Sequence, residues 1–486
     1  MSAGGGIEPE EFAEAFRRVS EWAHAESERE RSPFKSRLTE HFGEDPATYP
    51  VTGEGIATYD LPNLQLALDA YLDREGTEHT LIGFGGHVGY AEMSLSGLVH
   101  DVGFGVVEGP VRRTVVGLER GRSVTCITAG LFLIADGDRR LAALVMLGRH
   151  GFDEGGLRLE VIAPEQEEGE RFIADVQALM HEHNVFRGKV LALKAGDEMM
   201  GQGMSVTFPA VEPVSRDQIV LPEGVLDIVG LHTVDFARHA GALREAGWHL
   251  RRGLLLHGPP GTGKTLSTTY LISRLEGRTV VILTGGALGL IGDACAIARD
   301  LQPAMVVLED VDLVAQERTA MGYGATSLLF RLLNEMDGIG EDADVIFVMT
   351  TNRADLLEPA LAARPGRVDQ AVEFPLPDAE ARSRLLDLFG RGLDLALTDR
   401  AAVVAETEGV SPAFLRELVR KAALQAARAG SPRVEDVHFR ESLDLLQRGG
   451  QITRSMLGAD GGAVERLNPE GEWGDVELDE IEWDEE

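Results

Sequence analysis

One short stretch of the chain constrains its fold more than any other. Residues 258–265 read GPPGTGKT, directly after the apolar run 253–256 and directly before residues 266–272, which can open a helix. A strand, a glycine-rich loop and a helix in this order form a phosphate-binding loop, whose backbone N–H groups close around phosphate oxygens. The helix N-terminus adds about half a positive charge facing the same oxygens. The sequence therefore predicts a nucleotide site.

Two side chains of this stretch can act on the nucleotide directly. Lys264 can reach the β- and γ-phosphates, and the Thr265 hydroxyl can ligate Mg²⁺. We therefore predict ATP and Mg²⁺ as the ligands. The residues expected to contact the nucleotide are Gly258, Pro259, Pro260, Gly261, Thr262, Gly263, Lys264, Thr265 and Leu266.

A second apolar segment ends in two carboxylates, about forty residues further on. Residues 305–308 are apolar and lead into Glu309 and Asp310. Hydrolysis of Mg·ATP requires one carboxylate that holds the metal through water and another that orients the attacking water. The position of this pair after a phosphate-binding loop favours that role over a simple charged turn.

Two further segments supply polar groups that suit the same reaction. Residues 345–349 form an apolar strand that leads into Asn352, whose amide can help to place the attacking water, although asparagine also commonly ends a strand. Residues 363–369 read ARPGRVD and expose Arg364 and Arg367 in a turn. These arginines can pair with surface carboxylates or reach the γ-phosphate of a neighbouring subunit.

The ordered motifs GPPGTGKT, VVLEDVD, LLNEMDG, VMTTN and ARPGRVD closely resemble those of the AAA ATPases of the AAA+ superfamily. The resemblance runs from about residue 220 to residue 446. It implies an α/β fold, with a doubly wound parallel-sheet P-loop ATPase core and a C-terminal helical lid. It also implies a homo-oligomeric ring, usually a hexamer, with ATP bound between subunits.

The resemblance implies roles for individual residues. Glu309 joins Thr265 at the metal, Asp310 activates water, and Asn352 is the family's first sensor. The arginine fingers, which act in trans on the charge of the transferred phosphoryl group, are Arg364 and Arg367.

Three features of the sequence depart from the family pattern. The family usually carries Asp-Glu where this chain has Glu309-Asp310, an order that resembles the Bcs1-type branch and shortens the base by about one methylene. Leu290 stands where the family usually has an aromatic residue that grips extended polypeptide. Pro412 replaces a glycine in the lid segment that contacts adenine, and Arg416 beyond it can sense nucleotide or face solvent.

Composition restricts the partners and the compartment. The formal net charge of −34 and the pI of about 4.8 disfavour nucleic acid as a main partner, since such a chain repels phosphate backbones. The acidic N-terminus has no apolar signal segment, and the longest apolar run, 141–147, is too short to span a bilayer. Two distant cysteines exclude a disulfide framework. We predict a soluble, cytoplasmic protein with no membrane partner.

The distribution of residue types divides the chain into five regions. These are an N-terminal helical region (1–75), a mixed α/β or β-rich domain (76–210), the ATPase core (211–374), the helical lid (375–448) and an acidic disordered tail (449–486). The first two regions contain no chemical motif. By the architecture of the family, we expect this N-terminal half to select a protein client.

Three functions remain open from the sequence. The first is an ATP-hydrolysing AAA ring that remodels, unfolds or disassembles protein substrates. The second is a nucleotide-gated assembly or switch ATPase with slow hydrolysis and no threading, which the Glu309-Asp310 order and Leu290 favour. The third is a nucleic-acid-directed ATPase, which the net charge of −34 disfavours.

Overall fold

The computed structural model describes residues 33–86, 93–100, 106–148, 156–195, 204–312, 334–336, 338–340, 342–354 and 368–448. Its contacts divide the chain into two units, residues 1–209 and residues 210–486. The two units are built on different kinds of β-sheet.

An antiparallel sheet is the centre of the first unit. Its order is β1-β7-β6-β5-β2-β3, and β4 also pairs with the long strand β5. Beyond this sheet, β8 and β9 form an antiparallel pair. The strands are β1 (Val51–Ile56), β2 (Thr77–Gly86), β3 (Val106–Gly109), β4 (Arg112–Gly117), β5 (Ser123–Asp136), β6 (Arg139–Leu147), β7 (Leu157–Ile162), β8 (Val190–Lys194) and β9 (Ser205–Thr207).

Helices cover both faces of this sheet. Leu131 and Leu133 of β5 pack with α1 and α3, whereas Phe132 and Ile134 pack with α2 and α4. Side chains of a strand alternate between faces, so a sheet covered on both sides needs consecutive apolar residues. The helices are α1 (Pro33–Phe42), α2 (Leu61–Leu72), α3 (Leu95–Val99) and α4 (Gln166–Glu182).

The structure differs from the expected helical region 1–75. Within it, the described residues include strand β1, which pairs with β7 along its whole length, and α2, which shares a core with the sheet. Phe34 and Leu38 of α1 are fully buried, so this helix is amphipathic rather than polar throughout. Residues 33–75 therefore belong to the same packed unit as the strands that follow them.

The second unit contains five parallel strands in the order β14-β10-β13-β12-β11. All their carboxyl ends lie at one edge. The first strand, β10, lies between β13 and β14, which is the kind of reversal in strand order where open α/β sheets bind ligands. The strands are β10 (Arg252–His257), β11 (Thr279–Thr284), β12 (Ala304–Glu309), β13 (Val345–Thr351) and β14 (Gln370–Glu373).

The central strands of this sheet are apolar almost without interruption. All of β13 and all of β12 except Glu309 are buried, as expected for parallel strands covered on both faces. At the opposite, amino-terminal edge, the buried guanidinium of Arg278 donates to the Ala304 carbonyl and to Asp344. These residues stand at the starts of β11, β12 and β13, so the buried ion pair and its hydrogen bonds connect the amino-terminal ends of the three strands.

Short helices lead into the sheet and connect its strands. A π-helical turn (Leu231–Asp235) separates α5 from α6, and a 3-10 segment (Gly285–Leu290) precedes α9. The helices are α5 (Val225–Gly230), α6 (Phe236–Arg238), α7 (Ala240–Glu245), α8 (Lys264–Arg274) and α9 (Ile291–Asp300).

Four helices and a small parallel sheet follow the core. They enclose a separate cluster of buried residues that includes Leu386, Leu415 and Leu418. The elements are α10 (Ala379–Phe389), β15 (Leu395–Ala396), α11 (Arg400–Glu406), α12 (Pro412–Arg428), β16 (Val434–Glu435) and α13 (Asp436–Arg448). The predicted fold class, a parallel-sheet core followed by a helical lid and preceded by a mixed α/β domain, is confirmed. No helix in the described ranges combines the length and apolar character needed to cross a membrane.

Candidate nucleotide site

The loop between β10 and α8 depends on glycine at two points of close approach. Gly258 has a φ of +143°, and a Cβ added there would lie 2.3 Å from the Phe374 carbonyl oxygen. Gly261 has a φ of +74°, and a Cβ added there would lie 2.7 Å from the Ala413 Cβ. Any larger residue at either position would have to displace the loop from the end of the sheet or from the lid.

The Lys264 side chain lies inside this loop. Its Nζ donates to the carbonyl oxygens of Gly258 (2.7 Å) and Pro259 (2.8 Å), and the residue is only 6% exposed. Burial lowers the pKa of Lys264 to about 8, although the charges of Asp310 and Asp312 act to raise it. The loop therefore holds a cation at the start of α8, which suits the binding of phosphate.

Thr265 and Glu309 lie near each other beside the loop. Glu309 is the last residue of β12. Burial raises the pKa of Glu309, the nearby Thr265 hydroxyl acts to lower it, and the charge of Asp310 acts to raise it. A hydroxyl and a carboxylate are oxygen donors of the kind that Mg²⁺ takes together with substrate phosphates and waters.

Asp310, the next residue, adopts a left-handed backbone conformation with a φ of +53°. Aspartate tolerates this region better than most residues. Its N–H donates to Thr350 Oγ1 (3.0 Å), and its Oδ1 accepts from Asn352 Nδ2 (3.3 Å). The structure thus brings together Asp310 and Asn352, which the sequence placed at the ends of two different strands.

One carboxylate beside this pair was not among the predicted site residues. Asp312 is buried and accepts hydrogen bonds from Thr351 and Asn352. The signal available in the sequence was a third acidic residue within four positions of a buried strand, in the segment VVLEDVD. Hydropathy alone would place such a residue at the surface, so only the hydrogen-bond partners reveal its position.

The lid contacts the loop through the start of α12. The Ser411 hydroxyl caps this helix by accepting from the Phe414 N–H, and the Ala413 N–H donates to the Gly261 carbonyl (3.2 Å). Pro412 takes the first helical position, where the missing N–H costs nothing. This accounts physically for the departure at Pro412. Arg416, one turn further on, is exposed.

Two of the predicted site residues, Arg364 and Arg367, lie outside the described residues. Asp369, which ends their motif, accepts from the Gly253 N–H (2.8 Å) and from Arg252 (3.2 Å), so this end of the motif is tied to β10. Leu290 is half-buried at the end of its 3-10 segment, and Leu266 is exposed beside the loop.

A metal site made only of protein side chains is absent from the part of the chain that the structure describes. No group of three or more His, Cys, Asp or Glu residues there is placed to hold an ion. Mg²⁺ usually binds through one or two protein oxygens and the phosphates of its nucleotide. Thr265 and Glu309 fit that pattern, and neither requires a preformed cage.

Comparison with known families identifies the domain. Residues 254–376 match the model of the ATPase family associated with various cellular activities (AAA). The class defined by the fold and the site is therefore a P-loop ATPase, and residues 254–376 form an AAA ATPase domain. The family match confirms the prediction of ATP and Mg²⁺ as ligands and of ATP hydrolysis as the reaction of the family. The Bcs1-type detail of Glu309-Asp310 stays a prediction.

Curated relatives match the same part of the chain. ATP-dependent zinc metalloprotease FtsH 4 of Sphaerobacter thermophilus is 37% identical over 237 residues, 46% of this chain and 36% of that protein. FtsH 1 of Sorangium cellulosum is 34% identical over 240 residues, with 46% and 39% covered. FtsH of Acidimicrobium ferrooxidans is 31% identical over 272 residues, with 53% and 41% covered. The chain thus spans well under half the length of these three relatives.

Among solved structures, the AAA domain of FIGL-1 matches with a TM-score of 0.40 and 20% identity. The match covers 47% of this chain and 81% of that one. The assignment of the domain rests on the family model and on the site geometry.

Proposed function

We propose that this protein binds and hydrolyses Mg·ATP at the loop between β10 and α8, and that it uses the cycle to remodel protein substrates. The observation that supports hydrolysis is that five predicted site residues gather at one edge of the sheet. Lys264 lies in the loop, Thr265 lies near Glu309, and Asp310 accepts a hydrogen bond from Asn352. These residues follow or end the neighbouring strands β10, β13 and β12.

The two carboxylates have different partners, and we infer their roles from these. Glu309 lies near the Thr265 hydroxyl, which supports a role on the metal side. Asp310 accepts from the Asn352 amide, which supports a role in orienting the attacking water. Bound Mg²⁺ would neutralise charge on the β- and γ-phosphate oxygens.

A matched pair of isosteric substitutions tests this assignment. Asp310→Asn should lower the rate of ATP hydrolysis by about 10²–10⁴-fold while ATP binding is kept, because asparagine tolerates the same backbone conformation but cannot polarise water. Glu309→Gln should make the binding of ATP depend less on Mg²⁺. Asp293→Asn, at an exposed position of α9, is the control. If Glu309→Gln alone retains tight Mg·ATP without turnover, the two roles are reversed.

The proposed substrate is protein. The relatives are named as ATP-dependent proteases and match the ATPase part of this chain at 31–37% identity. Proteolysis itself is left out of the proposal, since a metalloprotease H-E-x-x-H motif is absent from the sequence: the His181-Glu182 pair is followed by Val185 where the second histidine would stand. We propose that the first unit selects the client.

A turnover assay separates this proposal from its alternative. Addition of an unfolded protein should increase the hydrolysis rate several-fold if the protein remodels polypeptides. A slow rate that does not respond to unfolded protein would favour the nucleotide-gated switch, which the Glu309-Asp310 order also supports.

We further propose a homo-oligomeric ring in which Arg364 and Arg367 act on the ATP of the neighbouring subunit. Their place in the ARPGRVD motif supports this role. Arg367→Ala and Lys264→Ala should each be inactive alone, and mixing them should restore part of the activity at interfaces that combine an intact loop with an intact arginine. No recovery in verified mixed oligomers would exclude action in trans.

A further inference from the structure

The buried carboxylate of Asp312 lies next to the residues proposed to place the attacking water. Asp312 is 4% exposed. Its Oδ1 accepts from Thr351 Oγ1 (2.9 Å) and from the Asn352 N–H (3.1 Å). A buried carboxylate is costly unless it is hydrogen-bonded, and this one has both recorded donors on the last residue of β13 and the residue after it.

The same two segments are joined by two further hydrogen bonds. The Asp310 N–H donates to Thr350 Oγ1 (3.0 Å), and the Val311 N–H donates to the Thr350 carbonyl (3.0 Å). Together with the bond from Asn352 Nδ2 to Asp310 Oδ1, five hydrogen bonds therefore connect residues 310–312 with residues 350–352. The turn that contains Asp310 in its left-handed conformation is thus hydrogen-bonded directly to the end of the neighbouring strand β13.

Asn352 is held from two sides by this arrangement. Its backbone N–H is bound by Asp312, and its side-chain Nδ2 donates to Asp310 Oδ1 (3.3 Å). The backbone contact fixes the position of residue Asn352. The side-chain contact directs its amide toward the Asp310 carboxylate. Loss of the acceptor at Asp312 would release the backbone of Asn352 while Asp310 itself stays unchanged.

We propose that Asp312 is a positioning residue for ATP hydrolysis: it fixes the end of β13 so that the Asn352 amide meets the Asp310 carboxylate. The proposal rests on the proposed ATPase function. It assigns Asp312 no contact with nucleotide, so it concerns the rate of turnover and not the binding of ATP. Misplacement of a catalytic group by about 1 Å can cost about 10²-fold in rate.

The experiment compares substitutions in the full-length chain that differ only in the hydrogen-bond acceptor. Asp312→Ala removes the acceptor, whereas Asp312→Asn keeps one oxygen that can accept from Thr351 and from the Asn352 N–H. We expect Asp312→Ala to lower kcat by about 10–100-fold with KM and ATP affinity within about threefold of the parent. Asp312→Asn should recover most of the rate.

A double substitution distinguishes positioning through Asn352 from a general structural role. If Asp312 acts through Asn352, then Asp312→Ala should add little to the loss already caused by Asn352→Ala. A loss that simply multiplies with that of Asn352→Ala would overturn the proposal. So would equal losses for Asp312→Asn and Asp312→Ala, or a fall in ATP affinity that matches the fall in kcat.

A second pair of variants keeps the proposal testable if Asp312→Ala does not fold. Thr351→Val removes the hydroxyl that donates to Asp312 and keeps the side-chain shape, whereas Thr351→Ser keeps the hydroxyl. Thr351→Val should lower kcat more than Thr351→Ser does, and the reverse order would contradict the proposal. An unsubstituted chain that fails to hydrolyse ATP would refute the proposed function itself, which is a separate result.

Discussion

The two sheets of this protein differ in where their strands end. In the antiparallel sheet of the first unit, neighbouring strands end at opposite edges, and helices pack on both faces. In the parallel sheet of the second unit, β10 to β14 all end at one edge. Polar residues that follow parallel strands therefore lie close together at that edge. This explains why the predicted site residues of the second unit lie near one another.

The buried polar groups of the two units follow the same difference. In the first unit, the buried side chains of Asn63 and Gln65 accept from the backbone N–H groups of Val185 and Ile127, contacts that stabilise the packing of α2. In the second unit, the buried polar residues include Lys264 and Asp312, which lie at the nucleotide site. The first set stabilises helix packing, whereas the second set lies at the candidate nucleotide site.

The largest effects that test this comparison come from one large-to-small change in each sheet. Phe132→Ala in β5 and Phe347→Ala in β13 both remove a fully buried ring, and each should lower the free energy of unfolding by about 3–5 kcal/mol. Only Phe347→Ala should also weaken ATP binding, because β13 pairs with β10, the strand that leads into the phosphate-binding loop. Chemical denaturation and nucleotide titration measure the two effects. Equal losses of ATP affinity would contradict the contrast between the units.

The next largest effect concerns the cation in the loop. Lys264→Ala should weaken ATP binding by about 3 kcal/mol, or roughly 100-fold in Kd, since it removes charged hydrogen bonds to phosphate. Lys194→Ala, at an exposed position of β8 in the first unit, is the matched control and should leave the Kd unchanged. Titration with a fluorescent ATP analogue provides the measurement. If Lys264→Ala kept full affinity for ATP, the nucleotide site would not lie in this loop.

The smallest effect extends the comparison to the lid. Asp436 accepts from the Thr398 N–H, the Thr398 hydroxyl and the Asp399 N–H, and these bonds lower its pKa to about 2. Because the folded pKa lies below the usual value of 3.8, the stabilisation is present above pH 4 and is lost as the pH falls through about 2. Asp436 is only partly buried, so Asp436→Asn should cost only about 1 kcal/mol at pH 7.

Urea unfolding at pH 7 and pH 3 measures this difference. The gap between the parent and Asp436→Asn should be smaller at pH 3 than at pH 7. Asp444→Asn, an exposed position of the same helix, should show no such dependence. A gap that grows at low pH would contradict the assigned direction of the pKa shift.

The local sequence pattern was sufficient to predict those elements whose own residues indicate their structure. The apolar segments before the phosphate-binding loop, before Glu309 and before Asn352 form strands β10, β12 and β13, where the sequence placed them. The helical interpretation of residues 1–75 did not hold for β1, whose six residues VTGEGI carry little apolar signal. That strand forms because β7 supplies its partner, which is distant in the sequence.

The sequence by itself determined the phosphate-binding loop and the ATP and Mg²⁺ chemistry, because residue type and spacing within short segments carry that information. It also predicted Lys264, Thr265, Glu309, Asp310 and Asn352 as site residues. Only the tertiary structure decided the strand order, the contact of Ala413 with Gly261 and the burial of Asp312 between two strand ends. These features depend on which distant segments pack together. Such packing is set by the summed burial and hydrogen bonding of the whole unit and by no local pattern.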